Sequence, residues 1–511
     1  MSQRVKFALW NFARLHPLPG AVIRAAGRIA MGDAEKALRN RLAGAPGSFL
    51  PADRYGRDLD VPTQVWLLDG QADGLERAGV RMLLNHLSIP YRVGKPDAKI
   101  AGAAAVFVIN ASWSEVQKLR AYAAADTLIV CFLEGVLPAS VEGIAVCGPA
   151  SRLLPHRDGL RSDFAASVVR ALRDQLRIPV VTGKLAPLVG LRIDDVEGDG
   201  LATWLAVIRE HGWRPNLGLF INSFSKGDNP AGRIIADSCR TAEADASPHA
   251  FDPATFLLFD YPWGRPFSRD EFDQRWCRAK ACFEDYGIPL SPIVNAHFHV
   301  LSRSAAERLA AEGARFFYSE LAIDTASAIP GQDNWPTGSP TMCTFRPDPS
   351  GVVQLSCGDH ILDVMSERSH YDFMMHGGAD NPAMAARRIG RRLSLSLDCG
   401  FPAYVTTHEY FFRTWPGPAP HRALWATVDE ALTGTGWGPV RKASLAEIGA
   451  AAEVARNTAI FAVASAESGM LEVTLRGGGA GALTVIGRGR AHSVAVAAGP
   501  RDRMIEVPMG L

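Results

Sequence analysis

No uninterrupted apolar stretch in this 511-residue chain approaches the roughly 20 residues that cross a bilayer. The first residues also lack the apolar core and small-residue cleavage site of a secretory leader, so the expected location is the cytoplasm. There is no CxxC pair and no regular cysteine framework, only eight scattered cysteines. In a chain of this length that pattern points to reduced, mostly buried thiols. A surplus of charge of one sign is missing too. The formal net charge of +1 leaves no general basic face for a nucleic-acid backbone, and no nucleic-acid partner is expected. A local patch would not show in that total, so an acidic polymer stays open as a substrate. Internal repeats are absent.

What is present is ordinary globular material in several pieces. Hydrophobic residues make up 47% and charged residues 21%, enough for sizeable cores, and the length suggests about three domains. Residues 1–60 read as a helical segment. Within 4–30, Lys6, Arg14, Arg24 and Arg28 lie among Phe7, Leu9, Trp10, Phe12, Val22 and Ile23, a composition that suits peripheral membrane contact. Pro17 and Pro19 cut this pattern into short pieces, which favours helices packed on the next domain. In 61–150, strands at 64–69, 104–110 and 127–132 alternate with helices at 73–87 and 112–124. That alternation implies a small flavodoxin-like α/β domain with a parallel sheet. Residues 151–186 read as a connecting segment with a helix near 163–176.

From 187 to 450 the pattern is that of a (β/α) barrel, incomplete and seven-stranded. Its expected strands are 188–194, 216–222, 256–261, 292–298, 315–321, 352–357, 372–376 and 403–407, one more than seven if all form. Helices fit at 200–211, 268–286, 303–313 and 379–397. The Pro-, Gly- and Asp-rich stretch 324–350 reads as a long loop over the barrel mouth. Residues 455–511 break into short apolar runs separated by Gly, Ser and Arg-Asp, the mark of a small antiparallel β-module. The Gly-rich run 476–481 follows no βαβ pattern and reads as a turn, not a phosphate cradle.

Chemistry concentrates where the barrel strands end. Asp194 and Asp195 close the run Leu-Val-Gly-Leu-Arg-Ile. Inside a strand one of them would be a buried, unpaired charge, so the pair belongs at a carboxyl end facing the crevice. One carboxylate can then hold a metal while the other handles a proton. His297 and His299 follow the run Ser-Pro-Ile-Val-Asn-Ala; alternate residues of an extended chain share a side, so both imidazoles can reach one point. His376 ends Phe-Met-Met before two glycines, and His408 and Glu409 end Tyr-Val-Thr-Thr. Asp260 and Trp263 close an aromatic run suited to stacking on sugars. Asp260, Trp263, His408 and Glu409 are therefore the candidate substrate-binding residues.

The phrase Leu-Arg-Ile-Asp-Asp-Val at 191–196 resembles the first motif of the polysaccharide deacetylase (NodB-like) superfamily, in its divergent branches. The resemblance covers roughly 187–420. It implies a metal-dependent carbohydrate deacetylase acting on an N- or O-acyl group of a polysaccharide or glycoconjugate. Asp194 would be the catalytic base and His376 the acid, with Asp195, His297 and His299 holding a divalent metal, zinc by preference. The family spaces its two histidines by four; here they are two apart, and the positions four away from His299 are Asn295 and Arg303. Residues 79–91 resemble the first helix and second strand of amidotransferase-like domains. The nucleophile elbow of those enzymes is absent, because Cys131 lacks the preceding glycine and reads as a core thiol.

Two alternatives share the same barrel. A metal-free glycoside hydrolase would pair carboxylates drawn from Asp194, Glu197, Asp260, Glu320 and Glu409. A glycan-binding or scaffold protein of polysaccharide biosynthesis would have lost catalysis altogether.

Overall fold

The computed structural model describes residues 64–133 apart from 71–73, 95–99 and 101; 141–153; 163–183; 187–319 apart from 226–228, 264 and 298–299; short pieces within 346–355 and 386–398; and 402–508 apart from 415–416, 433–438, 458, 466–468, 478–480 and 501. The 1–60 segment and the basic 4–30 stretch lie outside these residues. No helix among the described residues is long and apolar enough to cross a membrane.

Five strands, β1 (Val65–Leu68), β2 (Tyr91–Gly94), β3 (Ala105–Ile109), β4 (Leu128–Phe132) and β5 (Ile144–Cys147), form an all-parallel sheet in the order β2-β1-β3-β4-β5. Every residue of β3 and β4 is buried, as expected of central strands covered on both faces. The helix Trp113–Tyr122 begins at a capping box in which Ser112 and Glu115 satisfy each other's backbone amides. The helix Asp163–Gln175 packs Phe164, Val168, Val169 and Leu172 into the core that also holds Phe107 and Phe132. It covers this sheet, so the segment expected to be a linker is part of the first domain's core.

The barrel segment lays down β7 (Leu188–Val196), β8 (Asn216–Phe220), β9 (Asp245–Ala250), β10 (Ile293–Val294), β11 (Phe316–Tyr318), β13 (Val353–Leu355) and β14 (Ala403–His408). β14, β7, β8 and β9 are hydrogen-bonded in that order and parallel; β10, β11 and β13 form a second parallel set. A parallel bridge between Ala246 and Leu290 joins the two sets. Among the described residues no hydrogen bond closes the ring between β13 and β14. Short β12 (Arg346–Pro347) runs antiparallel to β13, and β15 (Arg441–Lys442) pairs with the start of β7.

One strand was misplaced by sequence. The apolar run 256–261 is irregular chain ending in a 3-10 turn, Tyr261–Trp263, whereas β9 is built from Asp-Ala-Ser-Pro-His-Ala. Phe256, Leu257, Leu258 and Phe259 are buried in the barrel core without pairing. Burial, not strand formation, explains their hydrophobicity. Position 372–376 lies outside the described residues.

The C-terminal strands fall close to expectation: β16 (Ala459–Ser465), β17 (Met470–Arg476), β18 (Gly481–Gly487), β19 (Arg490–Val496) and β20 (Asp502–Pro508). They do not form a self-contained module. β18 pairs antiparallel with β6 (Val180–Thr182), which lies between the first domain and the barrel. The two three-stranded sheets are β16-β17-β20 and β19-β18-β6.

Candidate metal centre

The site begins with a break in strand geometry. The register between β7 and β8 shifts between Ile193 and Val196, and Asp195 has a φ of 55°, in the left-handed region. Bulges of this kind re-aim side chains at strand ends, and aspartate tolerates the conformation better than most residues. Asp194 and Asp195 consequently take different partners. Asp194 is 3% exposed and is gripped in a two-pronged pair by Arg192, with Nε to Oδ1 and Nη2 to Oδ2 both at 2.8 Å. The same guanidinium donates to the carbonyls of Tyr318 (2.9 Å) and Ala296 (3.3 Å), tying β7 across the barrel to the ends of β10 and β11.

Asp195 turns instead to two histidines. Its Oδ1 lies 3.3 Å from His249 Nε2 and 3.5 Å from His297 Nδ1, and those two nitrogens are 2.9 Å apart. Asp195, His249 and His297 form a group that could hold a metal ion. His249 is 2% exposed, and its Nδ1 faces two oxygens of Asn295, the carbonyl at 3.1 Å and Oδ1 at 2.9 Å. Both can only accept, so Nδ1 carries a proton, and Nε2 is the nitrogen that His249 turns towards His297 and Asp195 Oδ1. That Oδ1 is buried and makes no aligned hydrogen bond. A positive centre placed between that nitrogen and the buried carboxylate oxygen is stabilised by both, and an imidazole whose other nitrogen donates to an oxygen is the usual metal-binding arrangement. The rings of Phe220 and Phe256 lie 5.6 and 5.4 Å from that of His297, walling the group with apolar surface.

The electrostatics agree. Burial works to raise the pKa of Asp194, but the charges of Arg192 and His249 override it and hold the carboxyl below the usual range. For Asp195 burial is likewise overcome, by the nearby His249, His408 and His297. His297 is pushed down to about 3 by burial and by repulsion from His249, so it is neutral at pH 7. Burial would lower His249 as well, yet Asp194 and Asp195 raise it above its ordinary value. Two carboxylates face one permanent cation, Arg192, so further positive charge, from His249 or from a bound divalent ion, is favoured there. The donor set of one carboxylate and two imidazoles suits zinc, with coordination positions left for water and substrate.

No protein-family model matches the chain, and no curated protein does. Its matches among solved structures include polysaccharide deacetylase and CE4 family proteins. A Mycobacterium smegmatis protein classed as a polysaccharide deacetylase overlaps at a TM-score of 0.37 and 15% identity, covering 54% of this chain and 92% of that one. A CE4 family pseudoenzyme from Bacillus anthracis overlaps at 0.28 and 13% identity, over 52% and 65%. A GH30 endoxylanase from Clostridium papyrosolvens overlaps at 0.25 and 10% identity, over 64% and 95%. Scores this low describe a partial overlap of strands and helices.

Of the ligands expected from sequence, Asp195 and His297 lie beside each other, while His299 and the expected acid His376 lie outside the described residues. His249 was missed. Its strand reads Asp-Ala-Ser-Pro-His-Ala, with a proline and no branched apolar residue, so nothing marked it as a strand. The usable signal was its place one βα unit after β8. His408 sits on β14 directly across from Asp194 in register and is half-buried, with its ring 5.0 Å from that of Tyr410. Two substrate-facing expectations are corrected. Glu409 is fully buried, and its carboxylate accepts the amides of Glu197 (2.6 Å) and Gly198 (3.0 Å); it holds the turn after Asp195 instead of facing a ligand. Asp260 is 8% exposed and paired with Arg265 at 3.1 Å, closing a short hairpin. Trp263, two residues beyond Tyr261, is 59% exposed.

Proposed function

We propose that this chain is a metal-dependent hydrolase that removes an acyl group from a carbohydrate. The observation that carries the metal half is the convergence of Asp195 Oδ1, His249 Nε2 and His297 Nδ1, one carboxylate oxygen and two imidazole nitrogens within 3.5 Å of one another, with no aligned hydrogen bond at Oδ1. The acyl-carbohydrate half rests on the resemblance of 191–196 to the first deacetylase motif.

A bound divalent ion, zinc by preference, would supply a Lewis acid and lower the pKa of a coordinated water towards about 7. The chain's own residues then divide the work. Asp194, anchored by Arg192, stands one residue from the ligand Asp195 and takes the water's proton as the acyl carbonyl is attacked. The leaving amine or alkoxide needs a proton in return. His408 faces the same side of the sheet as Asp194 and is the imidazole this geometry offers; His376 is the residue the motif resemblance assigns. Trp263 is the exposed ring available to stack on a sugar.

Metal-free glycoside cleavage is less well supported. Glu409 and Asp260 are tied to backbone amides and to Arg265, which takes two of the candidate carboxylates away from acid/base work.

The test is elemental analysis of the purified protein beside Asp195→Ala and His249→Ala, together with release of acetate from acetylated oligosaccharides. One divalent ion per chain in the parent, lost in both variants along with activity, is expected. Acetate release unchanged in Asp195→Ala or after chelation would overturn the proposal.

A further inference from the structure

Behind His249 runs a buried chain of polar side chains that the metal ligands do not account for. Asn295 is 1% exposed and Asn216 fully shielded. Asn295 Nδ2 donates to Asn216 Oδ1 at 3.0 Å, and Asn216 Nδ2 donates to Asp245 Oδ1 at 2.5 Å and to Ser247 Oγ at 3.0 Å. Asp245 opens β9 and His249 comes four residues later on the same strand, a separation of roughly 13 Å.

The direction of every bond in this chain is determined. Ser247 Oγ donates its own proton to the carbonyl of Ile293 at 2.8 Å, so towards Asn216 it can only accept. Asp245 Oδ1 accepts as well. Asn216 must therefore turn its NH₂ to that side and its oxygen to Asn295. Asn295 must in turn present its NH₂ to Asn216 and its oxygen to His249. An amide flip at either position would set donor against donor or oxygen against oxygen in the core, at a cost on the order of 1–3 kcal/mol per unsatisfied group. The backbone leaves room for this arrangement at Gly218, where a Cβ would sit 2.7 Å from Asn295 Nδ2 and 3.1 Å from Asp194 Oδ1.

We infer that Asp245, Asn216 and Asn295 are positioning residues: the carboxylate at the start of β9 and the Ser247 hydroxyl fix the orientation of two amides in series, and these hold the His249 ring with Nδ1–H on Asn295 and Nε2 turned towards Asp195. The inference rests on the metal-centre reading for its consequence, and on hydrogen-bond polarity alone for the tautomer. Outer partners of metal-bound histidines typically carry a 10–100-fold share of metal affinity. Asn295 belongs at the lower end, because its own carbonyl remains as a second acceptor for Nδ1–H.

Two measurements separate the parts. In the metal-free full-length protein labelled with ¹⁵N-histidine, the ring nitrogen shifts, assigned with His249→Gln, report the tautomer. Competition against a zinc-binding dye reports affinity. Expected are Nδ1–H at His249 in the parent and zinc affinity about tenfold lower in Asn295→Ala. An Nδ1 without a proton in the parent overturns the inference, as does an alanine variant that is folded and unchanged in both readouts. The parental tautomer decides the matter even where Asn295→Ala does not fold. Nδ1–H in a parent that binds no zinc would uphold the positioning chain and sink the metal-centre reading instead.

Discussion

Replacing Arg192 with leucine removes the one permanent cation from the strand that carries both aspartates. The guanidinium is 2% exposed and makes four bonds: two to Asp194 and one each to the carbonyls of Tyr318 and Ala296. Stranding a buried carboxylate by deleting its partner costs about 3–5 kcal/mol, and two orphaned carbonyls push the figure to the upper end. Against a total stability of about 5–15 kcal/mol, that places the barrel near its unfolding threshold. The pH dependence has a defined sign. In the parent, Asp194 is depressed below its unfolded value of about 3.9, so its stabilisation is present above that pH and is lost as pH falls through the folded value. In Arg192→Leu the carboxyl is buried without its partner and its pKa rises, so the deficit is greatest near neutrality and shrinks as pH falls towards 4. Equilibrium urea unfolding at pH 5 and 7.5 measures this, with Trp204, Trp213, Trp276 and Trp425 in the barrel core as fluorescent reporters. Adding Asp194→Leu should recover more than half of the loss, because replacing both members of a buried pair is far milder than breaking it. A coupling below about 0.5 kcal/mol between the two positions would refute the picture of a locked pair.

Gly218→Ala should lower stability by about 1–3 kcal/mol and weaken zinc binding, since its methyl would press on Asn295 and Asp194; full zinc affinity would show that the barrel relaxes around it. Glu409→Ala should cost about 2–3 kcal/mol by releasing two amides from a charged acceptor, with Glu409→Gln recovering part of it in thermal unfolding. Burial raises Asp245 to about 6, although Asn216, Ser291 and Arg214 oppose the rise. An acid raised in the folded state costs stability as pH climbs from its unfolded value of about 3.9 to its folded one, and the cost is then constant. Asp245→Asn, which keeps an accepting oxygen, should therefore gain on the parent at pH 7.5 relative to pH 4.5; no difference between the two pH values would remove Asp245 from the list of titrating groups.

The elements legible from sequence were those whose two faces are both apolar. Ala-Val-Phe-Val-Ile and Leu-Ile-Val-Cys-Phe could only be central strands, and the five C-terminal strands announced themselves between turn residues. The aspartate pair was legible as a charged doublet interrupting an apolar run, although β7 continues through it to Val196, because Arg192 pairs the buried Asp194 and the left-handed backbone at Asp195 turns the second carboxylate aside. β9 was illegible for the opposite reason. Its burial is secured by hydrogen bonds from Asn216 and to Asn295, residues 29 and 46 positions away from their partners, and no local pattern encodes that. The run Phe-Leu-Leu-Phe at 256–259 then attracted the strand assignment, because apolar chain buried as a loop and apolar chain buried as a strand look alike in one dimension. With β9 misplaced, its histidine went unnoticed, and His299 was assigned the part for which the structure offers His249.

The pairing of β6 with β18 sets an order of events during synthesis. Thr182, Val181 and Val180 bond to Thr484, Val485 and Ile486, so the strand that leaves the first domain has to wait for a partner translated roughly 300 residues later, some 15–60 s at 5–20 residues per second. Among the described residues β18 is the strand that pairs with β6, and its Ile486 also packs into the first domain's core, so both the edge and that core are incomplete through that interval. Whatever shields that edge on the ribosome, the chain itself or a chaperone, is part of how this protein reaches its final form.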